Sequence, residues 1–228
     1  MPRTSDARAK ALDTAEDLFR RQGFAATGLA QIIEESGSPK GSFYFHFKGG
    51  KDQLAAEIVE RFAARGVAAI RAVAAATPGN AEGFVRMLCA GFAQEMRASD
   101  YTLGCALQNI ATEKAPGDPR HTALVHNGLE AWVEGVSTHF AACGVAAPRP
   151  LAEAFIAALE GARTFSRTSR SDAVYSAIAD SFAAVAAMPQ LSSGLEVAMI
   201  RAPTALGPPL AANCGKSLAT APAGVTEK

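Results

Sequence analysis

Residues 38–51, SPKGSFYFHFKGGK, place four aromatic rings and a histidine in the five consecutive positions Phe43 to Phe47, between Gly41 on one side and Gly49-Gly50 on the other. The composition reads as a strand, because aromatic side chains favour a pleated, half-buried surface and the glycines would mark its ends. The opening reads as a helix. Ser38 can accept a backbone N–H as N-cap, and Pro39 suits the first helical position, where no N–H partner is required. The upstream sequence decides for the helix. From Ser5 to Arg21, the apolar residues Ala11, Leu12, Ala15, Leu18 and Phe19 recur at three- and four-residue steps, and Gly23 stops the pattern. Leu29, Ile32 and Ile33 predict a second helix over 29–35, capped by Thr27 or Gly28 and ended by Gly37. Only SGS then precedes Pro39, and two short helices joined by a three-residue turn behind a longer helix make a helix-turn-helix layout.

Beyond Gly50 a run without proline, Lys51 to about Ala76, carries Leu54, Ile58, Phe62, Val67, Ile70 and Val73 at helical spacing and ends at TPGN. Further helices are predicted over 81–98, about 105–114, 121–143, 151–168 and 171–188, punctuated by KAPGDP and GVAAPRP. No convincing strand alternation occurs, and alanine, the best helix former, is abundant. The expected fold class is all-α, with a three-helix unit over residues 1–50 and a helical domain over 51–188. Residues 189–228 are rich in Pro, Gly, Ala and Ser and lack aromatics, so an unpacked tail is expected there.

A chain of 228 residues, 49% hydrophobic and 19% charged, can bury one sizeable core or two modest ones. Basic and acidic residues number 22 each, so any nucleic-acid binding has to be local rather than a property of the whole surface. No apolar run approaches a bilayer span, and MPRTSDARAK lacks the apolar core of a signal peptide, so no membrane association and a cytoplasmic address are expected. Cys89, Cys105, Cys143 and Cys214 stand far apart without C-x-x-C pairing, which argues against a disulfide framework and a structural zinc. The phosphate-cradling, nucleophile-elbow, dinucleotide and zinc-protease motifs are all missing. No catalysis, metal or cofactor is expected.

As a helix, residues 39–47 set Phe43 and Phe47 on one side, where they can pack on the first two helices. Gly41, Ser42 and Phe45 point the opposite way, with Tyr44 and His46 on the flanks. Such a face suits a groove. An aromatic edge can lie against sugars and thymine methyls, Ser42 can reach a base edge or phosphate, and Gly41 allows close backbone approach. Lys40, Tyr44, His46, Lys48 and Lys51 would supply phosphate contacts. Residues 1–51 hold eight Lys or Arg against six acids, a net of +2, and no acid lies between Lys40 and Lys51.

These residues resemble one-component regulators of the tetracycline-repressor (TetR) type. The similarity covers residues 5 to about 60 and rests on AEDLFRRQGF and ATGLAQIIEESGSPKGSFYFHFKGGKDQL, with Thr27, Ile32, Gly37, Gly41, Tyr44, Phe47 and Lys51 at the motif positions. FKGGK has one residue more than the commoner link to the fourth helix. The double glycine resembles the lincomycin-resistance and flavonoid-responsive subgroup, as does LGCALQNIATE at 103–113, where Ala106 replaces that subgroup's proline. The resemblance implies a homodimer whose two recognition helices enter successive major grooves of a near-palindromic double-stranded operator, and which a small apolar effector releases. It assigns DNA-facing roles to Thr27, Ser38, Lys40, Gly41, Ser42, Tyr44, Phe45, His46 and Lys51. Among these, Tyr44, His46 and Lys51 would serve the backbone and Lys40, Ser42 and Phe45 the bases.

In such regulators the last two long helices form a four-helix bundle across the dimer axis. Leu151, Phe155, Ala158, Ala162 and Phe165, then Val174, Ile178, Phe182 and Val185, form stripes that suit this role, although the same stripes would serve an intramolecular core. An effector pocket is expected among residues 81–143, with Phe92, Met96, Cys105, Gln108, His126 and Trp132 as candidates, although ordinary packing or surface is the plainer reading of each. Cys105 reads as a small buried hydrophobe rather than a redox switch.

Overall fold

In the computed structural model, residues 4–114 and 117–186 are described, and the expected tail at 189–228 lies outside them. Among the described residues there are nine α-helices and no strand. The first three are α1 (Thr4–Gln22), α2 (Leu29–Ser36) and α3 (Lys40–His46). Their apolar stripes meet as expected: Leu12, Ala15, Phe19, Ile32, Phe43 and Phe47 are all buried. Gly37 closes α2 in the left-handed conformation (φ 63°), which a residue with a Cβ adopts only at a cost, and its N–H bonds the Glu34 carbonyl. The aromatic run is helical.

Of the two caps offered for α2 the glycine is used, and the expected serine cap of α3 is not. Gly28, not Thr27, occupies the N-cap of α2, and the Thr27 hydroxyl instead donates to the Gly23 carbonyl at 2.7 Å. Pro39 occupies the N-cap of α3, while Ser38 donates to the Ala7 carbonyl at 3.2 Å. The Thr27 hydroxyl closes the turn after α1 and the Ser38 hydroxyl ties its turn to α1, and neither satisfies a helix start. In the FKGGK link, Gly50 sits at φ 59° and Gln53 accepts the Gly49 N–H at 3.0 Å, so the extra glycine allows the tight turn into α4 (Gly50–Ala76).

The remaining helices are α5 (Ala81–Ala98), α6 (Ala106–Lys114), α7 (Pro119–Ala142), α8 (Pro148–Ser169) and α9 (Ala173–Ala186). Helices α7 and α8 start two to three residues earlier than periodicity predicts, because a proline fits the first turn, where its missing N–H is not needed. The 27-residue α4 packs on α7, α5 on α9, and α8 on α7 and α9. At the α4/α7 crossing, a Cβ added to Gly66 would lie 2.3 Å from Trp132 Nε1, so only glycine lets the indole donate to the Ala63 carbonyl at 2.8 Å.

Helix α6 brackets α1 and its exit turn. Asn109 donates to the Phe19 carbonyl at 2.8 Å, and the Glu113 carboxylate accepts the Phe24 N–H at 3.2 Å and the Ala25 N–H. Asp118 caps α7, accepting from the Arg120 and His121 N–H groups at 3.0 and 3.2 Å. The His121 ring at 2.7 Å, chiefly, holds the Asp118 carboxyl down at about 2. A carboxyl depressed in the fold contributes stability that is complete above its ordinary range near 4 and is lost as pH falls towards 2. Replacing Asp118 with alanine is therefore expected to lower the melting temperature at neutral pH, with a gap to wild type in thermal melts that narrows below about pH 3.

Candidate nucleic-acid interface and internal cavity

Helix α3 is seven residues long and divides its aromatics by environment. Phe43 and Phe47 are 1% and 0% exposed, with ring centroids 5.1 Å apart, whereas Phe45 is 70% and Tyr44 52% exposed. A helix too short to hold itself in water is fixed by its two buried rings, which aim the other side outward. Lys40, Gly41 and Lys48 are exposed beside Phe45, with Lys48 Nζ 6.0 Å from the Phe45 ring centre. A Cβ on Gly41 would meet nothing within 4 Å, which leaves the backbone open to close approach. Ser42 and His46 are half-buried, and His46 Nε2 is enclosed without a hydrogen-bond partner, so that edge of the imidazole does not reach outward.

Three residues assigned outward roles are turned inward. Thr27 is fully buried, and Ser38 is 7% exposed with its hydroxyl engaged as described. Lys51 Nζ donates to the Phe24 and Thr27 carbonyls at 2.9 and 3.0 Å and lies 4.2 Å from the centre of the Phe24 ring. The turn after α1 leaves carbonyls without helical partners, and this ammonium supplies them. Two of its three donors are spent in that way. Lys51 organises the turn before it can serve any phosphate.

A cavity of about 380 Å³ lies behind this unit, walled by α4, α5, α7 and α8. Its apolar lining includes Phe62, Ile70, Phe92, Trp132, Ile156 and Leu159. Of the expected pocket residues, Phe92 and Trp132 are on the wall, and the other four are not. Met96 is fully buried behind Arg163, and His126 faces solvent because Val125, Gly128 and Trp132 take the inner side of α7. Gln108 is half-buried on α6, a helix committed to α1, α4 and α7. Cys105 is fully buried, and that burial pushes its thiol well above the ordinary range, as befits a packed hydrophobe.

One wall of the cavity is charged. Arg20, reaching in from α1, donates to the Gly104 carbonyl at 2.9 Å and pairs with Glu95 at 2.7 Å. Arg163 of α8 takes the other Glu95 oxygen at 2.7 Å. Burial alone would raise the Glu95 carboxyl, but the Arg163 and Arg20 guanidiniums outweigh it and hold it below its ordinary value. Arg65 also lines the cavity and pairs outward with Glu16. The one legible hint was Arg163 itself, a cation embedded in the apolar stripe of α8.

The stripes of α8 and α9 divide between interior and surface. Phe155 and Ala162 are 0% and 2% exposed and belong to the chain's own core, so they are not available to a partner. Leu151, Ala158, Val174, Ile178 and Phe182 are half-buried, and Phe165 and Val185 are 68% and 48% exposed. No described helix is long and apolar enough to cross a membrane.

Residues 11–58 match the family model for bacterial regulatory proteins of the tetR family, and residues 81–181 match that for the C-terminal domain of LmrA/YxaF-like transcriptional regulators. The HTH-type transcriptional regulator LmrA of Bacillus subtilis is 61% identical over 54 residues, 24% of this chain and 29% of that protein. YxaF of the same organism, an uncharacterized HTH-type transcriptional regulator, is 54% identical over 59 residues, again covering under a third (31%) of the relative. An uncharacterized HTH-type transcriptional regulator of Mycobacterium tuberculosis is 28% identical over 173 residues, covering 72% of this chain and 85% of the relative. The crystal structure of a TetR regulatory protein from Rhodobacter sphaeroides superposes with a TM-score of 0.69 over 78% of this chain and 98% of its own, at 20% identity.

Proposed function

The chain belongs to the TetR family of transcriptional regulators, and on that premise we propose that it is a homodimeric repressor released from a palindromic operator by a small, largely apolar effector. The observation that carries the DNA-binding part is the split of α3 into two buried anchoring rings and an exposed Phe45–Tyr44 face flanked by Lys40 and Lys48. Residues 1–50 read the duplex and the helices from α4 onward hold effector and partner. Lys40, Ser42 and Phe45 meet base edges, Gly41 allows close approach, and Tyr44, Lys48 and the remaining donor of Lys51 meet phosphates. Thr27 and Ser38 act by fixing the turns that present α3.

The exposed and half-buried residues of α8 and α9, Phe165 and Val185 foremost, form the partner face, since large exposed apolar side chains grouped on two helices suit burial against a second copy. Operator binding requires one spacing of the two recognition helices, about 34–36 Å. An effector that prefers another spacing weakens DNA binding by its difference in affinity for the two states.

The test is a mobility shift with full-length protein and duplexes from the DNA flanking its own gene. Binding is expected to weaken steeply with salt, by about 0.9 log units per log unit of salt for each neutralised phosphate. Absence of binding at low salt to every fragment, or affinity insensitive to salt, would contradict the reading.

A further inference from the structure

Among the described residues, Arg20 is the one member of the first three helices that lines the cavity; the rest of the wall belongs to α4, α5, α7 and α8. It stands near the C-terminal end of α1 and is fixed by both its backbone and its side chain. Its carbonyl accepts the Gly104 N–H at 2.9 Å and its Nε donates to the Gly104 carbonyl at 2.9 Å, an exchange that a Cβ on Gly104, 2.9 Å from the Arg20 carbonyl oxygen, would obstruct. Its guanidinium lies 5.0 Å from the Phe62 ring centre and pairs with Glu95 of α5 at 2.7 Å. Phe62 and Glu95 are both wall residues.

A second side chain joins the wall to α1, and redundancy separates the two. Arg65 of α4 pairs with Glu16 of α1, but Glu16 is also held by Arg61 at 2.7 Å, and Arg61 reaches Asp13 at 2.6 Å. Loss of the Arg65 contact therefore leaves α1 fastened to α4. Glu95, by contrast, is the one acid within ion-pair distance of Arg20 among the described residues, so nothing replaces that tie from the side of α1. From the side of the wall the cluster stands without Arg20, since Glu95 keeps Arg163 at 2.7 Å and Arg163 has Glu160 at 3.8 Å.

The pose of α1 governs that of α3. Ser38, in the turn before α3, donates to the Ala7 carbonyl, and the Phe47 ring that anchors α3 is covered by the Arg8 guanidinium. We propose that Arg20 is the positioning residue through which occupancy of the cavity reaches the recognition helix. A molecule that packs on Phe62 or donates a hydrogen bond to Glu95 takes from Arg20 the contact that fixes the end of α1, and α3 shifts with it. This rests on the reading of the cavity as the effector site and of α3 as the helix that reads DNA. The route runs directly from α5 to α1, without a displacement of α4.

Fluorescence anisotropy of the full-length protein with a labelled duplex from its own flanking DNA tests this without an effector. Arg20→Met and Glu95→Gln are each expected to weaken binding about fivefold or more, the lower end of coupling between two sites, and to leave the weak binding to unrelated DNA unchanged. The double variant is expected to bind no more weakly than Arg20→Met alone, because both changes break one contact. Arg163→Met, which removes the other partner of Glu95, is expected to stay within about twofold of wild type. Gly91→Phe stands in for an occupant: it lies on the wall one helical turn before Glu95, where a new Cβ meets nothing within 4 Å. It is expected to weaken binding in the wild-type background and not in Arg20→Met. Should Arg20→Met fail to fold, the contrast between Glu95→Gln and Arg163→Met decides. Wild-type affinity in folded Glu95→Gln, additive losses in the double variant, a loss in Arg163→Met as large as in Glu95→Gln, or a Gly91→Phe loss that persists undiminished in Arg20→Met overturns the role of Arg20. An unchanged affinity in Gly91→Phe overturns the effector-site reading, and absence of binding by wild type to every flanking duplex overturns the repressor reading, each taking the inference with it.

Discussion

Replacing Phe47 with alanine is expected to lower the stability of the protein by about 3–5 kcal/mol, the range for deleting a fully enclosed aromatic ring. Phe47 has no exposed surface, packs 5.1 Å from Phe43 and is covered by the Arg8 guanidinium at 5.5 Å. It closes the junction of α1, α3 and the turn into α4, where no small rearrangement can fill the space. Phe45, two residues away and 70% exposed, is expected to behave in the opposite way. Its replacement by alanine should leave stability within about 0.5 kcal/mol of wild type, as for surface sites without special contacts. Chemical denaturation of the two variants side by side checks the assignment of faces. Equal loss of stability in both would show that α3 is not anchored as described.

The second large effect concerns the charged wall of the cavity, where the one carboxylate of Glu95 serves two guanidiniums. Glu95→Leu takes that carboxylate from both Arg20 and Arg163, leaving only Glu160 at 3.8 Å from Arg163, and is expected to cost about 3 kcal/mol, the lower end for a broken buried pair because one side of Glu95 is wet. Arg163→Met keeps the packing volume and leaves Arg20 and Glu95 paired one to one, so its cost should be smaller. The Glu95 contribution also has a pH signature. Its folded carboxyl lies below the ordinary value, so the stabilisation is complete above the usual glutamate range and disappears as pH falls through the lowered value. Thermal melts of Glu95→Leu and wild type should converge in acid. A larger loss from Arg163→Met than from Glu95→Leu would mean that Arg163, not Glu95, holds the cluster together.

These two expectations mark the difference between what could and could not be read from the sequence. Helix positions came from periodicity and from glycine and proline, which act within a few residues, and the separation of Phe43 and Phe47 from Phe45 follows from 3.6 residues per turn alone. The α2 cap falls on Gly28, one of the two residues offered, while the α3 cap failed for a nonlocal reason: Ser38 has the right chemistry for a helix start, but the Ala7 carbonyl, 31 residues upstream, claims its hydroxyl. Lys51 was similarly diverted, since the carbonyls it supplies lie 27 and 24 residues upstream. The cavity was the least legible part. Arg20 falls between the apolar steps of α1, and nothing local shows that it lines one space with α4, α5 and α8. Trp132 and Phe92 were found because large apolar groups in that half have few other places to go.

The central claim is that the Phe45 face of α3 is the surface that meets the duplex. Fluorescence anisotropy with a labelled duplex from the protein's own flanking DNA, comparing wild type with Phe45→Ala at one salt concentration, tests it most directly. The account predicts that Phe45→Ala, folded and melting as wild type does, loses about 1–3 kcal/mol of affinity for that duplex and keeps the weak, salt-dependent binding to unrelated DNA. Wild-type affinity in the folded variant would contradict it.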